Sequence, residues 1–385
     1  MKNNYALIIA GGEGTRFWPL STPEKPKQFL SLFTGESMIK STFHRLKSFI
    51  PEENIFVITN QRYGKITKEH LPSLPKENII LEPMKRNTFP AIAFAVYKIK
   101  KRDPKGAIIV SAADHIIGNE KEFCSTCREG FKLAREKDSI VTFGIDPNRP
   151  ETNYGYLKPA SMEKYEGIEY GEGIEFVEKP DLELAAEFLR KGGYFWNSGI
   201  FLFSFKTFEE EVKRIVPKDH KLLEDHFENQ GNIKKLFLEL TANSIDYVIM
   251  EKSNRIVMLK VRFPWDDVGN WDSLFRFEPD SEGNILKGDI LTRKTQNSII
   301  ISEEFEVLAE GIKDTVFVEN ENNFLVSSVS ALGNIKEGLK RLEDGSVEID
   351  CKNIHLKNFT GTGLFMGLEN ISMVFEGDRV HIKRN

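Results

Sequence analysis

Just past an apolar run near its amino-terminal end the chain reads Ala10-Gly11-Gly12-Glu13-Gly14-Thr15-Arg16. Three glycines within four positions let the backbone turn sharply and bring several N–H groups to an anion without Cβ interference, and Arg16 adds a charged fork for phosphate oxygens. The chemistry this suits is the holding of a nucleotide's phosphates. The pattern is neither G-x-x-x-x-G-K-[ST] nor a clean G-x-G-x-x-G, so it supports neither a P-loop hydrolase nor a dinucleotide enzyme. Far apart in sequence, Asp114 and Asp267 each come shortly after an expected strand. Two carboxylates at one sheet edge suit a Mg²⁺ that bridges phosphate oxygens and keeps several waters. No convincing Cys–His or Ser–His pairing supplies a nucleophile, and His115 reads as a polar structural neighbour of Asp114.

These groups need elements that end where they stand. Short apolar runs at 5–10, 54–59, 79–81, 107–111 and 139–144 alternate with helical patterns at 37–49, 88–101 and 120–137. That rhythm predicts right-handed βαβ units and an α/β fold, a Rossmann-like mostly parallel sheet. In such a sheet ligands sit beyond the carboxyl ends of the strands, which is where the glycine loop, Glu82 and Asp114 fall. Residues 152–205 are richer in Gly and aromatics and read as an insertion building a second wall, with strand-like runs at 173–178 and 200–205 and a helix at 182–190. The sheet pattern returns at 255–261. After Glu278 short β runs at 288–291, 298–301, 315–319 and 324–326 predict a smaller carboxyl-terminal β domain, so the expected division is 1–278 and 279–385. No strict repeat of the solenoid kind stands out.

A chain of 385 residues exceeds one usual core, in keeping with two domains. Its 53 basic and 58 acidic residues are interspersed, for a net charge of −5, which argues against a nucleic-acid partner. No apolar run approaches the roughly 18 residues of a membrane span, and the amino terminus lacks the pattern of a secretory signal, so the expected compartment is the cytoplasm. Cys124 and Cys127 lie on an expected helix without a second Cys or His pair, and read as ordinary thiols in a reducing compartment.

The glycine loop continues as Phe17-Trp18-Pro19-Leu20-Ser21 and then Pro26-Lys27-Gln28-Phe29. The whole run from Gly11 to Phe29 resembles the signature of the sugar-nucleotide pyrophosphorylases, and Trp18 with the Pro-Lys-Gln-Phe ending points to their mannose-1-phosphate guanylyltransferase branch. Further segments fall in family order: Glu82-Pro83, Arg86-Asn87-Thr88, Ala113-Asp114-His115, Tyr154-Gly155-Tyr156, Glu178-Lys179-Pro180, Trp196-Asn197-Ser198-Gly199, Ser244-Ile245-Asp246-Tyr247 and Asp267-Val268-Gly269-x-Trp271. Phe17 stands where Leu is usual, Ala112 where Pro is common and Asn153 where Gly is usual.

The resemblance implies an in-line transfer of GMP from GTP to mannose 1-phosphate, with pyrophosphate leaving and Mg²⁺ as cofactor. It implies catalytic roles for Arg16 and Lys27 on the reacting phosphates, and nucleotide contacts from Gly11, Gly12, Gly14 and Thr15. Glu82 would accept from guanine N1–H and N2–H, with Arg86 and Asn87 as neighbours. Glu178, Asn197, Lys179 and the close backbone of Gly155 are implied sugar-phosphate ligands, and Asp114 and Asp267 the metal ligands. Trp196 and Trp271 are expected to pack. The competing readings are a catalytically silent nucleotide-sugar-binding regulatory paralogue and a related nucleotidyltransferase for another sugar or base. His355 and His381 stand isolated after residue 278, so a second, metal-dependent isomerase domain is not expected. The assembly state stays open, a homo-oligomer included.

Overall fold

The computed structural model of the chain describes residues 3–32, 35–277, 279–342 and 346–384. The chain divides into two compact units, Met1–Gly11 with Ser37–Asp267 and Gly12–Glu36 with Val268–Asn385. The boundary expected at Glu278 lies outside the described residues, as does Gly345.

The larger unit is built on one parallel-rich sheet. Its strands in chain order are β1 (Asn4–Ile9), β2 (Ile55–Asn60), β3 (Ile79–Glu82), β4 (Ala107–Ala112), β5 (Ile116–Ile117), β6 (Ile140–Ile145), β7 (Tyr156–Lys158), β8 (Ser161–Tyr165), β9 (Ile168–Glu172), β10 (Glu175–Val177), β11 (Phe195–Ser204), β12 (Ile256–Lys260) and β13 (Trp265–Asp266). Among the described residues the order across the sheet is β3-β2-β1-β4-β11-β6-β12-β9-β8, while β5 and β13 form a separate ladder. The run β3-β2-β1-β4 is parallel throughout, as is β6 with β12. These are the βαβ units that the alternation predicts, and the α/β fold class stands.

One strand departs from expectation. The apolar run at 200–205, read as part of an inserted wall, belongs to β11, which runs antiparallel between β4 and β6 in the middle of the sheet. All of Phe195–Phe203 except Gly199 is buried, the near-continuous burial of a strand covered on both faces. Register shifts between Asn197 and Phe201 mark a bulge, with Gly199 at φ 67° inside it.

Helix Thr88–Lys100 is buried on most of its surface, and its Phe89, Ile92, Val96 and Ile99 share one core with Leu7, Ile58, Val110 and Phe203. Helix Glu120–Glu136 is amphipathic instead and buries Phe123, Cys124, Cys127 and Phe131. Both its cysteines are buried free thiols, and burial raises the Cys127 thiol well above its ordinary value. Between the apolar run ending at 205 and the strand pattern at 255, where the sequence assigns no helix or strand, the chain forms helices Phe205–Ile215, Pro217–Asn229 and Ile233–Glu239 and a π-turn at Asp246–Met250. Ser204 caps the first by accepting from Thr207 N–H at 3.0 Å, and Pro217 opens the second, where its missing N–H costs nothing.

In the smaller unit, strands Ile285–Lys287, Ile299–Ser302 and Thr315–Asn320 stack in parallel. Ile285 lies beside Ile299, 14 residues on, and Ile299 beside Val316, 17 residues on. Ile290–Arg293, Glu306–Glu310 and Arg379–Arg384 make a second parallel stack. Ile300, Val307, Phe317, Phe324 and Phe375 fill its core. The unequal spacings leave no strict repeat in the sequence, although successive turns of chain do stack. No helix among the described residues is long and apolar enough to cross a membrane.

Candidate active site

In the smaller unit the glycine loop closes on Lys27. Gly14 has φ 61°, and a Cβ there would lie 2.3 Å from Lys27 Cβ and 2.7 Å from the Lys27 backbone nitrogen. Only glycine lets the two segments touch. Ser21 Oγ and Phe17 N–H both donate to the Gly14 carbonyl, at 2.6 and 3.0 Å. Thr15–Phe17 and Lys27–Phe29 are each a single 3-10 turn. Lys27 is buried, and its ammonium lies 5.4 Å from the centre of the Phe17 ring, a cation–π contact that holds the charge in place. Arg16 Nη1 donates to Gly269 O at 3.2 Å, which leaves other guanidinium N–H groups for an anion. Thr15 and Gly12 are exposed.

A 3-10 turn at Trp271–Arg276 and two strands of the smaller unit brace this loop. Trp271 stacks obliquely on Phe17 at 4.9 Å and donates from Nε1 to Trp18 O at 3.3 Å, a packing role as expected. Asn320 Nδ2 donates to Pro19 O at 3.3 Å, and Lys287 Nζ to Ser31 O at 2.9 Å.

Gly11 ends the first segment of the larger unit, held by Ala10 N–H on Ile58 O at 2.9 Å and Thr59 Oγ1 on Ala10 O at 2.7 Å. A Cβ on Gly11 would come 3.1 Å from Glu82 Oε1. Glu82 closes β3, only 4% exposed, and burial pushes its carboxyl up to about 7 against the pull of Lys85. Asn87, exposed and at φ 73°, caps helix Thr88–Lys100 by accepting from Thr88 N–H at 2.9 Å. Arg86 Nη2 donates to Leu238 O and Leu240 O, at 3.1 and 3.0 Å, so part of its guanidinium ties this turn to the end of helix Ile233–Glu239.

Asp114 lies between β4 and β5, and Asp267 directly follows β13. In the antiparallel β5–β13 ladder Ile117 pairs with Trp265 and Ile116 with Asp266, so the ladder joins the two short segments that flank Asp114 and Asp267. The structure thus brings the two backbones together through a short ladder that the sequence reading lacked. Tyr154 donates its hydroxyl to Asp267 Oδ1 at 2.7 Å, and burial with the neighbouring Asp267 and Asp266 keeps the phenol protonated. Hard carboxylate oxygens, one of them oriented by a neutral donor, are a set that fits Mg²⁺. His115 Nδ1 accepts from Trp265 Nε1 at 3.3 Å, in line with its reading as a structural neighbour.

Gly155, Glu178 and Asn197 converge as well. Gly155 O accepts from Asn197 N–H at 2.8 Å, and a Cβ on Gly155 would lie 2.7 Å from Glu178 Oε2. Lys179, at φ 47°, donates from Nζ to Glu178 Oε1 at 2.8 Å. Burial opposes the charge on Lys179, and Glu178 with Asp246 outweighs it, so its pKa rises. Asn197 is buried; its Oδ1 accepts from Thr142 Oγ1 at 2.8 Å, and its Nδ2 donates to Asp246 Oδ1 at 3.2 Å. The Trp196 ring packs between Tyr154, edge-on at 5.3 Å, and the Arg149 guanidinium at 4.8 Å. Tyr154, Thr142 and Asp246, which the sequence does not single out, hydrogen-bond to Asp267 and Asn197. Tyr154 and Asp246 stand inside quoted family segments, a signal that names the segment but not the role.

The Nucleotidyl transferase family model matches residues 5–283. A mannose-1-phosphate guanylyltransferase of Escherichia coli is 38% identical over 350 residues, covering 88% of this chain and 75% of that protein. One of Salmonella montevideo is 38% identical over 392 residues, covering 98% and 80%. The crystal structure of mannose-1-phosphate geranyltransferase from Thermus thermophilus matches with a TM-score of 0.80 and 32% identity, over 89% of this chain and 99% of that one.

Proposed function

Since this chain belongs to the nucleotidyl transferase family, in its mannose-1-phosphate guanylyltransferase branch, we propose that it transfers GMP from GTP to α-D-mannose 1-phosphate. A phosphate oxygen of the sugar phosphate attacks the α-phosphorus in line, the bond to the β-phosphate bridging oxygen breaks, and pyrophosphate leaves with that oxygen. GDP-mannose is the other product. Both reactants are anions, so the work of the protein is alignment and charge stabilisation, without a covalent intermediate.

Arg16 and Lys27 stabilise charge on the reacting and leaving phosphates, and the backbone of Gly11, Gly12, Gly14 and Thr15 cradles the nucleotide. A Cβ at Gly12 would meet no described protein atom within 4 Å, so the fold leaves space beside that stretch of backbone. Glu82 accepts from the guanine edge, and Arg86 and Asn87 hold the turn beside it. Glu178, Asn197, Lys179 and the bare backbone of Gly155 take the sugar phosphate. Asp114 and Asp267 would hold Mg²⁺, which when bound neutralises phosphate charge. Every group given a chemical role lies within 1–278, and residues 279–385 serve packing and, in a homo-oligomer, assembly. The compartment proposed is the cytoplasm, which suits the free buried thiols Cys124 and Cys127.

The observation that carries this reading is the close approach of the buried Glu82 carboxyl to Gly11, where a Cβ would lie 3.1 Å from Oε1, a paired acceptor for a base set at the first glycine of the phosphate loop. Pyrophosphate release measured for GTP, ATP, CTP and UTP against mannose 1-phosphate and glucose 1-phosphate tests it. GTP with mannose 1-phosphate is expected to be the preferred pair. No release with any pair would mark a silent paralogue, and another preferred pair a different nucleotidyltransferase.

A further inference from the structure

Asn197 can serve a sugar only if its amide faces one way. A primary amide has a donor and an acceptor end of nearly equal size, and a rotation of half a turn exchanges them. Here both ends are tied. Oδ1 accepts from Gly199 N–H at 3.4 Å and lies 2.8 Å from Thr142 Oγ1, whose single hydrogen is shared with Ile200 O at 3.0 Å, while Nδ2 donates to Asp246 Oδ1 at 3.2 Å. With Oδ1 so occupied, the second Nδ2 hydrogen is the group left to offer a ligand.

Asp246 also hydrogen-bonds to Ser244 and to its own backbone N–H. It opens the π-turn Asp246–Met250, a wide turn of the kind found at functional sites, and its carboxyl is crowded by burial and by Glu178 until its pKa stands at about 7. A buried acidic group beside a second acid is costly unless something uses it. Lys179, paired with Glu178, offsets part of that repulsion.

Resting on the mannose-1-phosphate reading of this pocket, we propose that Asp246 is a positioning residue. It fixes the Asn197 amide with Nδ2 toward the ligand side, so that the pocket presents one N–H donor beside the Glu178 carboxylate. Such a pairing selects a sugar with neighbouring hydroxyls, one used as acceptor and one as donor. Loss of Asp246 frees the amide to turn and acts through Asn197 rather than on substrate directly.

Steady-state kinetics of the full chain test this with Asp246→Ala, Asp246→Asn, Asn197→Ala and the double variant Asn197→Ala/Asp246→Ala. Asp246→Ala should raise KM for mannose 1-phosphate about tenfold and leave KM for GTP within about twofold, the scale of one lost hydrogen bond. Asp246→Asn retains an acceptor oxygen and should recover most of that loss. On the Asn197→Ala background, Asp246→Ala should add less than about twofold, since the amide it positions is already gone. Thr142→Val releases the other end of the same amide while keeping a β-branched side chain in β6, and should give the same split; it decides the matter if Asp246→Ala does not fold. Multiplicative effects in the double variant, or equal rises in both KM values, overturn the inference while the functional reading stands. A wild-type protein with no turnover of GTP and mannose 1-phosphate overturns both.

Discussion

Tyr154 donates its hydroxyl to Asp267 Oδ1 at 2.7 Å, and that bond reaches across 113 residues of sequence to orient one of the two carboxylates assigned to Mg²⁺. A carboxylate held at one oxygen by a protonated phenol is restrained in orientation, which would favour its service as a metal ligand. Tyr154→Phe keeps the ring against Trp196 and Trp265, so the fold should persist. The Mg²⁺ concentration for half-maximal activity should rise about tenfold, the lower end of outer-shell effects. Asp114→Asn and Asp267→Asn should each abolish most activity, with excess Mg²⁺ restoring only part. An unchanged Mg²⁺ requirement in Tyr154→Phe would detach this bond from metal binding.

Glu82 gives a pH signature. Its carboxyl stands at about 7 in the ligand-free chain, above an unfolded value of 4.5, so the folded state binds the extra proton between those values. Stability is therefore lost as pH rises through that window, at about 1.4 kcal/mol per pKa unit. Glu82→Gln should melt higher than wild type above pH 7 and lose that advantage below pH 5. Guanine N–H donors favour the ionised form, so GTP binding at pH 7 should release about half a proton, seen by calorimetry in buffers of different ionisation enthalpy. Zero release, with GTP-over-ATP preference unchanged in Glu82→Gln, would remove Glu82 from the base site.

Gly14→Ala places a methyl group 2.3 Å from Lys27 Cβ at φ 61°. Backbone has to move, since the nearest atoms include the Lys27 nitrogen. A destabilisation of about 1–3 kcal/mol is expected, with a fall in kcat as Lys27 shifts. Thermal melting and kinetics read the two effects separately, and a variant with wild-type kcat would show that the contact does not position Lys27.

Lys27→Ala removes a charge assigned to the transition state. Turnover should fall by about 2–4 kcal/mol in barrier terms, with the dissociation constant for GTP little changed. A rise in KM alone would make Lys27 a ground-state anchor instead.

Much of this was legible in the sequence because it depends on local chemistry. The glycine loop, the strand ends at Glu82 and Asp114, and the helix at 88–101 follow from residue types over a few positions. What depends on tertiary closure was not. β11 reads as an inserted run because nothing in Phe195–Ser204 says that it will run antiparallel between β4 and β6. The β5–β13 ladder is two residues long on each side, too short to show a period, yet it joins the segments that flank Asp114 and Asp267. Asp246 and Tyr154 were visible as family segments, but their roles lie in hydrogen bonds to Asn197 and Asp267 that only the folded chain forms.

Guanylyl transfer is read directly by ³¹P NMR of one reaction: wild-type protein with GTP, mannose 1-phosphate and Mg²⁺. Paired diphosphate resonances of GDP-mannose should grow in step with pyrophosphate, one for one, and the pair should disappear together when pyrophosphate is added in excess. Release of inorganic phosphate or free GMP in place of the diphosphate, or spectra that stay those of the reactants, would contradict it.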